Sequence, residues 1–221
     1  MKIGKHLNKY GCYENQDFIG FNEYILFKSK KLLNQTGRLN SNDGLVKKAV
    51  KENEDRIIEI IRKNEKKLWG FKNPTIIYTL PYFCHHLKNP FYICLKRDPE
   101  SIADSLKRTT TIKNWIPEIK HEFLYFSFKE RLILILRFIK VLFKSGIIFK
   151  DEDINEKITK DGYKKIEHFT RDKNYLNIRL IDLLEDSENT IKRIINFLDI
   201  SPTDEQIKEA LGFINPDLIN S

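Results

Sequence analysis

Arg97, Ser105 and Lys72 are the side chains in this sequence whose types and settings point to the chemistry of a bound anion. Phe91-Tyr92-Ile93-Cys94-Leu95 is an unbroken apolar run, aromatic and β-branched, of the kind that forms a short buried strand. It runs out into Lys96-Arg97-Asp98-Pro99. Asp98 suits a helix N-cap, and Pro99 suits the first helical position, where no backbone N–H is needed. A helix is predicted to follow, with Ile102 and Leu106 on its core side and Ser101, Ser105 and Arg108 on another face. Arg97 thus stands where a strand gives way to a helix, the place at which open α/β sheets bind ligands. Its guanidinium fork and the Ser105 hydroxyl, almost two turns into the helix, could hold one phosphate between them. Lys72 ends a second short predicted strand, Leu68–Phe71. If the two strand ends are neighbours, it reaches the same crevice; the competing reading is a lone exposed lysine.

The elements that must position these groups can be read from periodicity. Asp17–Leu33 is predicted helical, with Phe18, Phe21, Ile25 and Leu32 near helical spacing. Asn34–Gly44 has the composition of a loop. Leu45–Lys67 is predicted as one charged helix with a solvated face. Thr75–Leu87 is predicted as a helix leading back to the central strand. It carries His85 and His86, whose adjacency points them in different directions and makes them a poor metal pair. Arg108–Phe128 suggests a loop and a short helix. Asp151–Asp172 is polar and reads as a lid or linker. Asn174–Ile178 alternates like a strand, and Glu188–Leu198 is amphipathic, with Ile191, Ile194, Ile195 and Leu198 at helical spacing. Thr203-Asp204-Glu205-Gln206 is a capping box for a last helix, Asp204–Gly212. Short apolar strands alternating with longer helices predict an α/β fold: a mostly parallel sheet with helices on both faces, in one domain over 1–221.

Composition bounds the function. The chain has 221 residues and a net charge of +8, yet Ile181–Ser221 is acidic, so the excess of bases lies before it. A basic body suits an anionic ligand, nucleic acid or an anionic membrane. No helix-turn-helix, RNP-type or zinc pattern supports nucleic acid. Cys12, Cys84 and Cys94 are odd in number and widely spaced, so neither a disulfide framework nor a metal-ligand spacing is expected. The N-terminus has no apolar h-region, and a cytoplasmic protein is expected. Glu130–Lys150 has a membrane flavour. Arg137, Lys140 and Lys144 interrupt its apolar runs, which disfavours a span. Two readings of Leu132–Phe149 remain: an interfacial helix in peripheral membrane contact, or a helix packed on the sheet or on a dimer partner, its cations snorkelling outward.

Several segments together resemble one family. A strand, Arg97-Asp98-Pro99, a helix and Ser105 are similar to the 3′-phosphate-binding motif of sulfotransferases that use 3′-phosphoadenosine 5′-phosphosulfate (PAPS). Trp69-Gly70-Phe71-Lys72-Asn73-Pro74 resembles the WGxK(D/N)P segment of the bacterial branch. Gly11-Cys12-Tyr13-Glu14 followed by Phe21-Asn22-Glu23-Tyr24-Ile25-Leu26 resembles its GxxE…xxNxxLL, and Leu176–Leu198 its late strand, xxDLL and helix. The family's glycine-rich PRSGT-type turn, which wraps the 5′-phosphosulfate, has no counterpart among the 9 Gly. Pro74 stands where cytosolic sulfotransferases carry a catalytic His. The resemblance implies a three-layer, P-loop NTPase-like sulfotransferase fold shortened at its N-terminus. It implies PAPS as co-substrate without a metal, and transfer of sulfonate to a hydroxyl or amine of a small-molecule or glycan acceptor. It assigns Arg97 and Ser105 to the nucleotide, Lys72 to the leaving phosphate and Glu14 to the base, which burial would suit to take a proton. The alternative is a non-catalytic sulfotransferase-like binding protein, peripheral at membranes.

Overall fold

The computed structural model describes residues 15–29, 43–102, 126–133, 136 and 152–214. The chain divides into two compact units, Met1–Lys88 with Pro99–Lys165, and Asn89–Asp98 with Ile166–Ser221.

The first unit is built on helix α1, Gln16–Lys28. Asn15 caps it, its Oδ1 accepting from the N–H groups of Asp17 at 3.0 Å and Phe18 at 3.3 Å. Asp17 in the first turn and Lys28 in the last complement the helix dipole. Phe18, Phe21 and Ile25 recur at helical spacing and are buried. Two helices replace the single one predicted over 45–67: α2, Asp43–Lys51, and α3, Glu54–Asn64. Asn53 makes the break. Its amide donates to the Ala49 carbonyl at 2.8 Å, and its N–H reaches only the Val50 carbonyl at 3.0 Å. A side chain that bonds the local backbone in this way competes with the helix. Val46, Ala49 and Val50 of α2 and Ile57, Ile60 and Ile61 of α3 are buried.

Two further expectations for this unit are corrected. Leu68–Phe71 is not a strand. Its aromatic rings pack on α1 instead, Phe71 stacked on Phe18 with centroids 3.8 Å apart and Trp69 on the same ring at 5.8 Å. Thr75–Leu87 is not an α-helix but three 3-10 turns, Ile76–Tyr78, Leu80–Tyr82 and Cys84–His86. Pro81 has no N–H for the Ile77 carbonyl, and β-branched Thr75, Ile76, Ile77 and Thr79 crowd an α-helical turn. The run therefore closes on short bonds, such as Tyr78 N–H to Thr75 O at 3.2 Å and Thr79 N–H to Ile76 O at 3.0 Å.

In the second unit, β1, Tyr92–Lys96, and β2, Tyr175–Arg179, pair in parallel, with Tyr92 opposite Tyr175 and Lys96 opposite Arg179. Both lie within one residue of the strands predicted from sequence. The polar lid or linker expected over 151–172 is a regular helix, α4, Glu152–Thr170. Its last turns belong to this unit, where Phe169 meets Tyr92 edge-on at 5.1 Å and Glu167 pairs with Lys96 at 3.0 Å. After β2 come α5, Leu180–Glu185, α6, Ser187–Leu198, and α7, Asp204–Phe213. Phe197 of α6 meets Phe91 at 5.5 Å. Helix α6 ends on Asp199 at φ 51°, a left-handed stop, and α7 opens with the predicted reciprocal capping box of Thr203 and Gln206. Helices with a parallel strand pair make a mixed α/β architecture, and β1 and β2 are the strands among the described residues.

Candidate functional site

Arg97 directly follows the last residue of β1, at the carboxyl end of the parallel pair. The chain is helical from 99 to 102, so Pro99 takes the first helical position as predicted. The edge is rich in cations. Lys96 and Arg179, paired in register, are each committed to a carboxylate. Lys96 reaches Glu167, and the Arg179 guanidinium grips Asp182 with both Nε, at 2.9 Å, and Nη2. Those bonds from Arg179 hold the Asp182 carboxyl below its ordinary range. Asp182 lies in the first turn of α5 and is the structural partner of Arg179. Arg193 of α6 donates to the carbonyl of Asn177 at 3.3 Å, tying that helix to β2. Arg97 is half-buried at this edge, and Asp98 is exposed.

Lys72 sits in the first unit on a segment fixed from both sides. Ahead of it, Phe71 is stacked on Phe18. Behind it, Asn73 enters a polar network around Asn22, which is fully buried. Asn22 Nδ2 donates to Thr75 Oγ1 at 2.6 Å and lies 3.5 Å from Asn73 Oδ1, while the Thr79 hydroxyl donates to Asn22 Oδ1 at 2.6 Å. Asn73 Oδ1 also accepts from the Thr75 N–H at 2.7 Å. The Thr75 hydroxyl, having accepted from Asn22, has one proton left. It faces Asn73 Oδ1 at 2.8 Å and Glu23 Oε1 at 3.2 Å. The network joins two motif segments that are about fifty residues apart in the chain, Phe21-Asn22-Glu23 and Asn73-Pro74-Thr75. Lys72 itself is exposed. Lys72 therefore does not end a strand, because 68–71 forms none.

Glu14 and Ser105 lie outside the described residues, as does most of Leu132–Phe149. The beginning of that amphipathic region is helical from 128 to 133. Phe128, Leu132 and Leu136, at helical spacing, are all more than half exposed. Among the described residues no helix is long and apolar enough to cross a membrane.

Sequence spacing missed a second cluster. His85 and His86, expected to diverge, both reach the carboxylate of Glu54 in the first turn of α3. Adjacency in sequence says nothing of a partner thirty residues away, and the 3-10 turn brings both rings to it. With these sites in view, no protein-family model matches the chain, and no curated protein or solved structure is similar to it.

Proposed function

We propose that this chain is a sulfotransferase-like protein that binds PAPS and passes its sulfonate to a hydroxyl or amine of a small-molecule or glycan acceptor. The observation that carries the reading is the position of Arg97, immediately beyond a parallel strand at the carboxyl edge of an α/β unit. The neighbouring cations Lys96 and Arg179 are neutralised by Glu167 and Asp182. A second support is the Asn22 network, which ties together two of the segments that resemble the family and holds the backbone around Lys72. On this reading β1 and β2 belong to a three-layer, P-loop NTPase-like sheet. Arg97 and Ser105 take the 3′-phosphate, and Lys72 takes charge on the 5′-phosphate oxygen as it leaves. The acceptor oxygen or nitrogen forms its bond to sulfur as the bond from sulfur to the bridging phosphate oxygen breaks. The acceptor proton passes to a base, for which Glu14 is the candidate. Catalysis then comes from alignment and charge neutralisation.

Calorimetric titration with 3′-phosphoadenosine 5′-phosphate tests the nucleotide site. Saturable binding that Arg97→Ala weakens by about 10- to 100-fold, the worth of a charged bidentate contact, is the expected result. A folded protein with no affinity for this nucleotide, or one indifferent to Arg97→Ala, overturns it. The reading would then pass to the non-catalytic, membrane-peripheral protein. The exposed stripe of Phe128, Leu132 and Leu136 favours that alternative, which sedimentation with anionic vesicles would test.

A further inference from the structure

We infer that Glu54, His85 and His86 form a binding site for a divalent transition-metal ion of the zinc class. One ligand atom from each of the three lies within 4.8 Å of the others. Glu54 Oε1 is 2.9 Å from His86 Nε2 and 3.5 Å from His85 Nε2, and the two imidazole rings lie with centroids 3.9 Å apart. Tetrahedral coordination at zinc–nitrogen and zinc–oxygen bond lengths sets ligand atoms about 3.3 Å apart, and the two carboxylate–imidazole spacings straddle that value. The trio is therefore gathered before any ion arrives. Two elements far apart in sequence supply it, the first turn of α3 and the last of the three 3-10 turns.

The donor set selects the class of ion. Imidazole nitrogen favours zinc, cobalt, nickel and copper over calcium and magnesium, which take oxygen ligands. Two histidines and one glutamate form a three-ligand set that leaves a fourth position for water or an anion. The site can offer that position. His86 is the more enclosed ligand, with 21% of its side chain exposed, whereas His85 at 59% and Glu54 at 42% open it to solvent. As it stands, Glu54 accepts from the imidazoles, so the carboxylate already faces both ring nitrogens. The ion replaces the imidazole proton on each coordinating nitrogen and fixes α3 to the 3-10 run. Binding to the folded chain stabilises the first unit by mass action. The inference is independent of the nucleotide reading, since its three residues play no part there.

Titrating the metal-free full chain with cobalt(II) and then zinc(II) tests it. Visible absorption reports four-coordinate cobalt, and thermal unfolding is followed in parallel. The expected result is a stoichiometric cobalt band that zinc displaces, with a rise in Tm on zinc addition. Glu54→Gln, an exposed and nearly isosteric change, should weaken binding by at least about 10-fold, and His86→Ala by about 100-fold or more. Saturable binding that survives both variants would place the ion elsewhere, at Cys84 or another histidine, and overturn the assignment. So would the absence of any band or Tm shift in the unaltered protein.

Discussion

The two units stabilise themselves in different ways. In the first, α1, α2, α3 and the 3-10 run surround a dense interior: Phe18, Phe21, Ile25, Val46, Ile57 and Phe83 expose almost nothing, and a satisfied Asn22–Thr79 pair lies among them. In the second, Ile178 and Ile191 are the buried apolar side chains among the described residues, while Ile93 and Leu95 of β1 are about half exposed. The contrast follows from geometry. A helix buries a stripe of side chains against any neighbouring surface. A two-stranded pair offers only alternate residues to each covering helix and has little interior of its own. The first unit therefore gives rigid positions for Lys72 and the metal ligands. The second presents the carboxyl ends of a parallel strand pair, the place at which open α/β sheets take ligands.

Phe21→Ala should produce the largest loss of stability. The ring is fully buried and meets Phe83 edge-on at 6.0 Å, so its truncation should cost about 3–5 kcal/mol in chemical denaturation. A loss below about 1 kcal/mol would mean that the first unit is less tightly packed than its burial indicates.

A smaller, pH-dependent effect should come from Tyr78. Burial pushes its phenol well above the ordinary tyrosine value, assisted by the negative charges of Asp161, which accepts from the hydroxyl at 3.2 Å, and Asp43. A folded-state value raised above the unfolded one means stability that is complete below about pH 10 and lost as pH rises above it, because only the unfolded chain gives up the proton there. The unaltered protein should thus lose about 1.4 kcal/mol per pH unit more steeply than Tyr78→Phe in the alkaline limb. Parallel stability–pH curves for the two proteins would refute the burial of this hydroxyl.

Leu95→Ser should have the smallest effect. At 53% exposure on an open strand, the side chain should change stability by no more than about 0.5 kcal/mol. A much larger loss would show that β1 has a covering surface, and the contrast between the units would narrow.

The strands were legible because an unbroken aromatic and β-branched run has few other uses, and β1 and β2 lie within one residue of expectation. The capping box of Thr203 and Gln206 was legible because it is a local exchange of hydrogen bonds. The misreadings share a different cause. Trp69-Gly70-Phe71 looks like a strand until Phe18 is there to stack on it. Residues 75–87 look helical until Pro81 and the β-branched residues force tighter turns. The polar 151–172 segment looks like a linker because its helix is set partly by contacts outside it, Glu167 with Lys96 and Phe169 with Tyr92.

The sequence by itself determined what depends on neighbours in the chain: the two strands, the Thr203–Gln206 capping box, and Arg97 placed just past a strand and before Asp98-Pro99. Tertiary structure alone decided what depends on partners distant in sequence. It set β1 beside β2 in parallel register, joined Asn22 to the Asn73 segment around Lys72, and gathered His85 and His86 on Glu54. The reason is the range of the forces. Torsional preference and capping act within a turn, whereas a buried amide or a shared carboxylate finds its partner only after the chain has folded back on itself.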